Sequence, residues 1–244
     1  MINILFLYLA EYVTPKVILK VLSVHRALFP AYIMLFNQQP LGIRGYTSLK
    51  SLSRILPFVR AVEFKFKSAW DANYELFLPA LTNIASLSGS YFTTKSAVNL
   101  LLLLPNLKFL ELNGNDGLLP DIHIINSLAG LKTLKLDNFN NITNLWYFES
   151  LMDLTSLSLV ASPVENLGPL TTKFKNLAKL DLSDCKKLRH FDELKFCIQL
   201  KELILNKLVT FDSLRPIVNL KNLEVLSLEN TSITNLDMPI LSGL

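Results

Sequence analysis

Apolar and polar positions along this chain follow a phrase that returns about every 23 residues. It reads LPNLKFLELNGN from Leu104, LAGLKTLKLDNF from Leu128, LMDLTSLSLVAS from Leu151, FKNLAKLDLSDC from Phe174, CIQLKELILNKL from Cys197 and LKNLEVLSLENT from Leu220. Apolar residues pair at alternate positions, around a residue that is polar in every unit but that of Ile204: Phe64/Phe66, Leu110/Leu112, Leu134/Leu136, Leu157/Leu159, Leu180/Leu182, Leu203/Leu205 and Leu226/Leu228. Period-2 alternation of this kind predicts a short strand buried on one face. A unit this small can bury that face only against its neighbours, so the repeat predicts a solenoid whose strands form one parallel sheet. The unit holding Leu87 and Gly89 is the weakest.

Unit starts fall at Phe58, Leu81, Leu104, Leu128, Leu151, Phe174, Cys197 and Leu220, spaced by 23, 23, 24, 23, 23, 23 and 23 residues. The second half of each unit steps in threes, as in Ile142, Leu145, Phe148 and Leu188, Phe191, Leu194. That spacing predicts 3₁₀ turns or a single helical turn on the convex side. Helical spacing in TTKSAVNLLLLLPNL (93–107) and TSLKSLSRILPFV (47–59) predicts true helices there. Residues 1–57 fall outside the repeat and are expected to form a helical N-terminal cap, with the repeat array over 58–244. LSGL (241–244) opens a ninth unit, which suggests one part of a longer array.

The chain resembles the leucine-rich repeat superfamily over roughly 58–244. LPNLKFLELNGN fits the motif L-x-x-L-x-L-x-x-N, and LSLENTSITNL and LSDCKKLRHFDEL fit its continuation. Unit length is similar to the short-repeat class of a phosphatase regulatory subunit and bacterial internalins, and Cys in the ladder place is similar to F-box-type and trypanosomatid repeats. The resemblance implies an α/β solenoid: a right-handed superhelix with a concave parallel sheet and short convex turns. One departure stands out. Where the family stacks asparagines, this chain has Ala69, Phe92, Asn115, Phe139, Ser162, Cys185, Leu208 and Thr231. The turns should therefore differ between units, with Asn138, Asn140 or Asn141 substituting beside the 24-residue unit.

Half of the residues are hydrophobic and mean hydropathy is +0.36. The repeat accounts for this excess through its inward positions. The stretch 17–36 is long enough to span a membrane, but Lys20, His25, Arg26 and Pro30 interrupt it and favour a buried helix pair. MINILFLYLA (1–10) is apolar like a signal segment yet has no basic start. An intracellular, cytoplasmic location is expected, with a secreted or cell-surface one as the alternative if 1–10 acts as a signal. Two cysteines, Cys185 and Cys197, fall on core positions. Together with His190 and Asp184 they lack the paired spacing of a structural zinc site, so no metal or other cofactor is expected.

Catalysis has little to draw on. His25, His123 and His190 have no nucleophile and carboxylate set against them by the repeat, and no phosphate-binding or nucleophile-elbow motif occurs. The chain reads as a non-enzyme. Positions flanking the inward pairs should point out of the concave sheet. Those expected to meet a partner are Lys65, Lys67, Phe109, Glu111, Asn113, Lys135, Asp137, Val160, Lys179, Asp181, Glu202, Ile204, Asn206, Val225 and Glu229. Their mixed charge excludes a phosphate-tracking groove, which would be a stripe of one sign with aromatics between. The net surplus of +4 sits at a rim instead, on Lys108, Lys132, Lys201 and the turn Lys186, Lys187, Arg189.

The sequence thus points to a monomeric, non-catalytic module that binds another protein on its concave face. Two alternatives remain: an F-box-type ubiquitin-ligase adaptor, from the apolar helix-spaced TPKVILKVLSV (14–24), or the regulatory repeat domain of a larger signalling protein or receptor. The sequons Asn141-Ile142-Thr143 and Asn230-Thr231-Ser232 matter only in a secreted protein.

Overall fold

In the computed structural model the alternating pairs become strands that lie side by side, each hydrogen-bonded to the next in sequence. The structure describes residues 41–43, 61–64, 83–90 and 100–234. Nine strands run through them: β1 (Leu41–Ile43), β2 (Ala61–Phe64), β3 (Ser86–Ser90), β4 (Phe109–Gly117), β5 (Thr133–Phe139), β6 (Ser156–Ser158), β7 (Lys179–Asp181), β8 (Glu202–Ile204) and β9 (Val225–Ser227). They form one open sheet in chain order, every pair parallel. Between them, on the other side of each coil, lie 3₁₀ turns at Leu100–Leu103, Ile122–Ser127, Leu145–Phe148, Gly168–Thr171, Asp192–Phe196 and Arg215–Ile217. The stretch 93–107, expected to be helical, carries the first of these 3₁₀ turns within its described part.

Inward leucines make the core. Leu110, Leu112, Leu134, Leu136, Leu157, Leu159, Leu180, Leu182, Leu203 and Leu205 are fully buried, stacked coil upon coil. Burying each of these side chains favours the fold by about 1.5–3 kcal/mol before the cost of ordering it. The convex triplets complete the same core, with Ile142, Leu145 and Phe148 buried beside Val164, Leu167 and Leu170.

Two assignments from the sequence change. The sheet starts a coil earlier than expected, because Leu41–Ile43 pairs with β2 although it falls in the stretch given to the cap. The remainder of 1–57 lies outside the described residues, as do the 14–24 and 17–36 segments, the 47–59 helix and 241–244. In β2 the register also differs: Val62 aligns with Leu87 and Phe64 with Gly89, so the pair is Val62/Phe64 rather than Phe64/Phe66. The physical reason is that Val62, Phe64 and Phe66 share one parity. A slip of two residues keeps every side chain on its face, so alternation alone fits both registers.

In the coils of β5 to β9 the chain turns sharply at the strand end through one left-handed residue. Asn138, Ala161, Asp184, Lys207 and Asn230 have φ between 55° and 61°, and they recur every 23 residues. Asparagine and aspartate tolerate this conformation, whereas Ala161 and Lys207 are held in it at a cost of about 1–2 kcal/mol each. The residue after each of them occupies the ladder place. Ser162 Oγ donates to Leu136 O (3.3 Å) and Cys185 Sγ to Leu159 O (3.1 Å), each reaching the preceding coil. Thr231 Oγ1 donates within its own coil to Leu228 O at 2.9 Å, and Phe139 and Leu208 contribute only apolar packing. Beside Phe139 the amide of Asn141 takes over, donating to Leu119 O (2.7 Å) and accepting from Leu119 N (2.9 Å). The expected variation between turns is present, and Asn141 is the substitute.

Candidate functional site

Because the strands are in register, the side chains between the inward leucines line up across the open face in columns. The first column runs Phe109, Thr133, Ser156, Lys179, Glu202, Val225, and the second Glu111, Lys135, Ser158, Asp181, Ile204, Ser227. A third column continues past the strand ends with Asn113, Asp137, Val160, Ser183, Asn206 and Glu229. Thirteen of the fifteen residues expected to meet a partner therefore share one face. Lys65 and Lys67 lie outside the described residues, and the register of β2 puts Glu63 in the column where Lys65 was expected.

Most of these side chains are engaged with one another. Lys135 Nζ pairs with Glu111 Oε2 at 3.1 Å and sits 5.7 Å from the centre of the Phe109 ring. Lys179 Nζ pairs with Glu202 Oε1 at 2.6 Å. Rim lysines behave likewise: Lys132 pairs with Asp153 at 2.9 Å, Lys201 with Glu224 at 2.9 Å, and Lys108 donates to Gly130 O. Exposed pairs of this kind add little stability, but they cancel the basic surplus locally.

A different arrangement fixes the third column. Asp137 Oδ1 accepts from Ser158 Oγ (2.8 Å) and from Val160 N (3.0 Å) on the next coil. Asn206 Oδ1 repeats this one face-length away, accepting from Ser227 Oγ (2.8 Å) and Glu229 N (2.8 Å). Asp181 Oδ1 serves the same end within its own coil, accepting from Ser183 N and Ser183 Oγ at 2.9 and 2.7 Å. Each clamp supplies an acceptor to a backbone N–H that lies just past a three-residue strand, where the ladder of carbonyls has ended. Ser158 is drawn down by its clamp to 7% exposure, so the serine stretch is less open than its small side chains suggested.

Burial pushes the Asp137 carboxyl above its ordinary value, and the nearby Asp181 and Glu111 charges push the same way, against the lowering effect of its bonds from Ser158 and Val160. The net shift is upward, so the folded chain binds a proton there more readily than the unfolded chain does. The stabilising contribution is present at low pH and is lost as pH rises through the folded value. The Asp137→Asn variant retains the Oδ1 acceptor, as Asn206 does, and removes the charge. It is expected to be more stable than the parent at pH 7, with the gain shrinking as both are acidified. Urea midpoints across that pH range check this, and no gain at pH 7 would contradict it.

Other candidate chemistry does not assemble. Cys185 and Cys197 are buried, each thiol pushed up to about 12 by desolvation, and His190 is exposed. His123 packs edge-on against Tyr147 at 5.5 Å. Among the described residues no group of histidine, cysteine and carboxylate side chains could hold a metal ion, and no helix is long and apolar enough to cross a membrane. Sequence reasoning missed several exposed apolar residues off the sheet face, among them Trp146, Met152, Phe196, Ile198 and Val209. Phe196, Ile198 and Val209 occupy template places that are polar in both neighbouring units, so periodicity gives no signal for them.

This geometry is that of a leucine-rich-repeat fold, and solved structures agree. An internalin from Listeria monocytogenes superposes with a TM-score of 0.61 at 18% identity, over 79% of this chain and 60% of that one. A leucine-rich-repeat protein from Leptospira interrogans gives 0.50 at 20% identity, over 88% and 66%. The ectodomain of the Arabidopsis receptor kinase HAESA, in complex with an N-terminally extended IDA peptide hormone, gives 0.54 at 20% identity, over 79% and 33%. The chain thus spans about three fifths of the internalin and one third of the receptor ectodomain. No family model matches it, and no curated protein is similar to it in sequence.

Proposed function

We propose that this chain is a non-catalytic protein-binding module and that its partner lies on the open face of the sheet. One observation carries the reading: across β4 to β9 the outward side chains stand in register, and the clamps of Asp137, Asp181 and Asn206 hold the third column in place before any partner arrives. A surface already ordered loses little conformational freedom on binding. Its mixed polar and apolar make-up (Phe109, Val160, Ile204 and Val225 among charges) is that of a protein interface. The fold's use in HAESA, whose ectodomain holds a peptide hormone and a co-receptor, supports the same reading.

Site-specific photo-crosslinking tests it. A benzophenone side chain at Glu111 or Ile204, on the sheet face, is expected to trap a protein partner in cells that make the chain, whereas one at Trp146 on the convex side is not. Trapping from Trp146 alone would move the site to the convex turns.

A further inference from the structure

We infer that the open sheet face takes a cationic anchor, a lysine or arginine on an extended stretch of the partner, seated above β6 between Asp137 and Asp181. This rests on the reading of that face as the partner surface, and it specifies the partner's chemistry. The argument begins with the charges that remain after the face has neutralised itself. Glu111 is matched by Lys135 and Glu202 by Lys179. Asp137 and Asp181 have no such match among the described residues, and in the three face columns from β4 to β8 theirs are the charges left over.

Asn206 supplies the second strand of the argument. It performs the same clamp as Asp137 with a neutral amide, so the clamp does not require a carboxylate. Burial and the neighbouring acids disfavour the charge at Asp137. A charge that the local structure does not need and that burial opposes is what a binding surface carries for its ligand. Both aspartates use only Oδ1 internally, which leaves Oδ2 of each as an acceptor for a ligand N–H.

Shape agrees with charge. β5 and β7 lie two strands apart, about 10 Å between axes, which leaves room for a guanidinium or ammonium between the two carboxylates. The intervening β6 presents only Ser156 and the drawn-down Ser158, so a backbone can pass close over it. The half-buried Val160, just past β6, and Ile204, level with Asp181 on β8, would receive the aliphatic stem of the anchor.

Random linear peptides displayed on phage and selected on the full chain provide the test. Enriched sequences are expected to share a lysine or arginine, and synthetic versions should bind more weakly as salt is raised. Asp137→Asn and Asp181→Asn retain the Oδ1 acceptors, so far-ultraviolet dichroism stays unchanged while affinity falls by about tenfold for each, as for loss of a charge-assisted bond. Enriched peptides without a basic residue, indifferent to both changes yet blocked by Ile204→Arg, would overturn the cationic anchor and leave the sheet face as the binding surface. Peptides indifferent to all three changes, or no enrichment at all, would remove the surface as well.

Discussion

Replacing Phe139 by asparagine, the residue that the repeat template places there, is expected to lower the stability of the fold by at least about 3 kcal/mol. Phe139 is fully buried where other members of the fold stack an amide, and it closes over the backbone of Gly114. A β-carbon added at Gly114 would come within 2.5 Å of the Phe139 ring and of Asn138 O, so the ring fills that space completely. Asparagine would leave a cavity and bury an amide; Ser162 and Cys185 each donate only one bond from this place, to the second inward leucine of the preceding coil, so the rest of the amide would go unmet. Thermal and urea unfolding of Phe139→Asn and Phe139→Leu decide the point. Leucine should cost clearly less, as a volume loss without a polar penalty. If the asparagine variant matched the parent, the template residue would have rebuilt the ladder and the account of this unit would be wrong.

Phe139 also shows where reading the sequence succeeds and where it stops. The strands were legible because burial on one face imposes period 2, and every pair from Leu110/Leu112 to Leu203/Leu205 is buried as expected. The 24-residue interval flagged the irregular turn, and the register shift between Asn113 and Gly117 of β4 is its structural form. Register within β2 was not legible, because two settings satisfy the same alternation. Alternation states a face, whereas hydrogen bonding alone states a depth.

The candidate site divides in the same way. That Glu111, Lys135, Asp181 and Ile204 share a column follows from counting. That Asp137 and Asn206 are clamps does not, since their partners Ser158 and Ser227 are 21 residues further on and become neighbours only once the coil register is known. The same bonds change what those residues mean. Asp137 and Asp181 are not loose acids on a mixed surface but anchored groups, each bonded internally through Oδ1, and reversing the charge at either would confound folding with binding. Amide substitutions separate the two, because they alter charge and leave the acceptor.

Asn141 is the second residue whose loss should be severe. Its side chain makes both backbone bonds of Leu119, a fully buried residue 22 positions earlier, and so stands in for the ladder that Phe139 cannot join. Asn141→Ala is expected to cost about 2–4 kcal/mol, because it strands an N–H and a carbonyl that water reaches poorly. Asn141→Asp sharpens the test. An ionised carboxylate keeps the acceptor for Leu119 N but faces Leu119 O without a proton to give, whereas the neutral acid can donate. The folded state should therefore raise the pKa of the new carboxyl, so that the variant approaches the parent at low pH and loses stability as pH rises through that value. Unfolding midpoints that fell equally at all pH values would mean that the amide bonds to Leu119 are not what holds this turn. The same geometry bears on the sequon that begins at Asn141: a glycan on Nδ2 would take one of the two hydrogens of the nitrogen that donates to Leu119 O, whereas Asn230 is exposed on its left-handed turn.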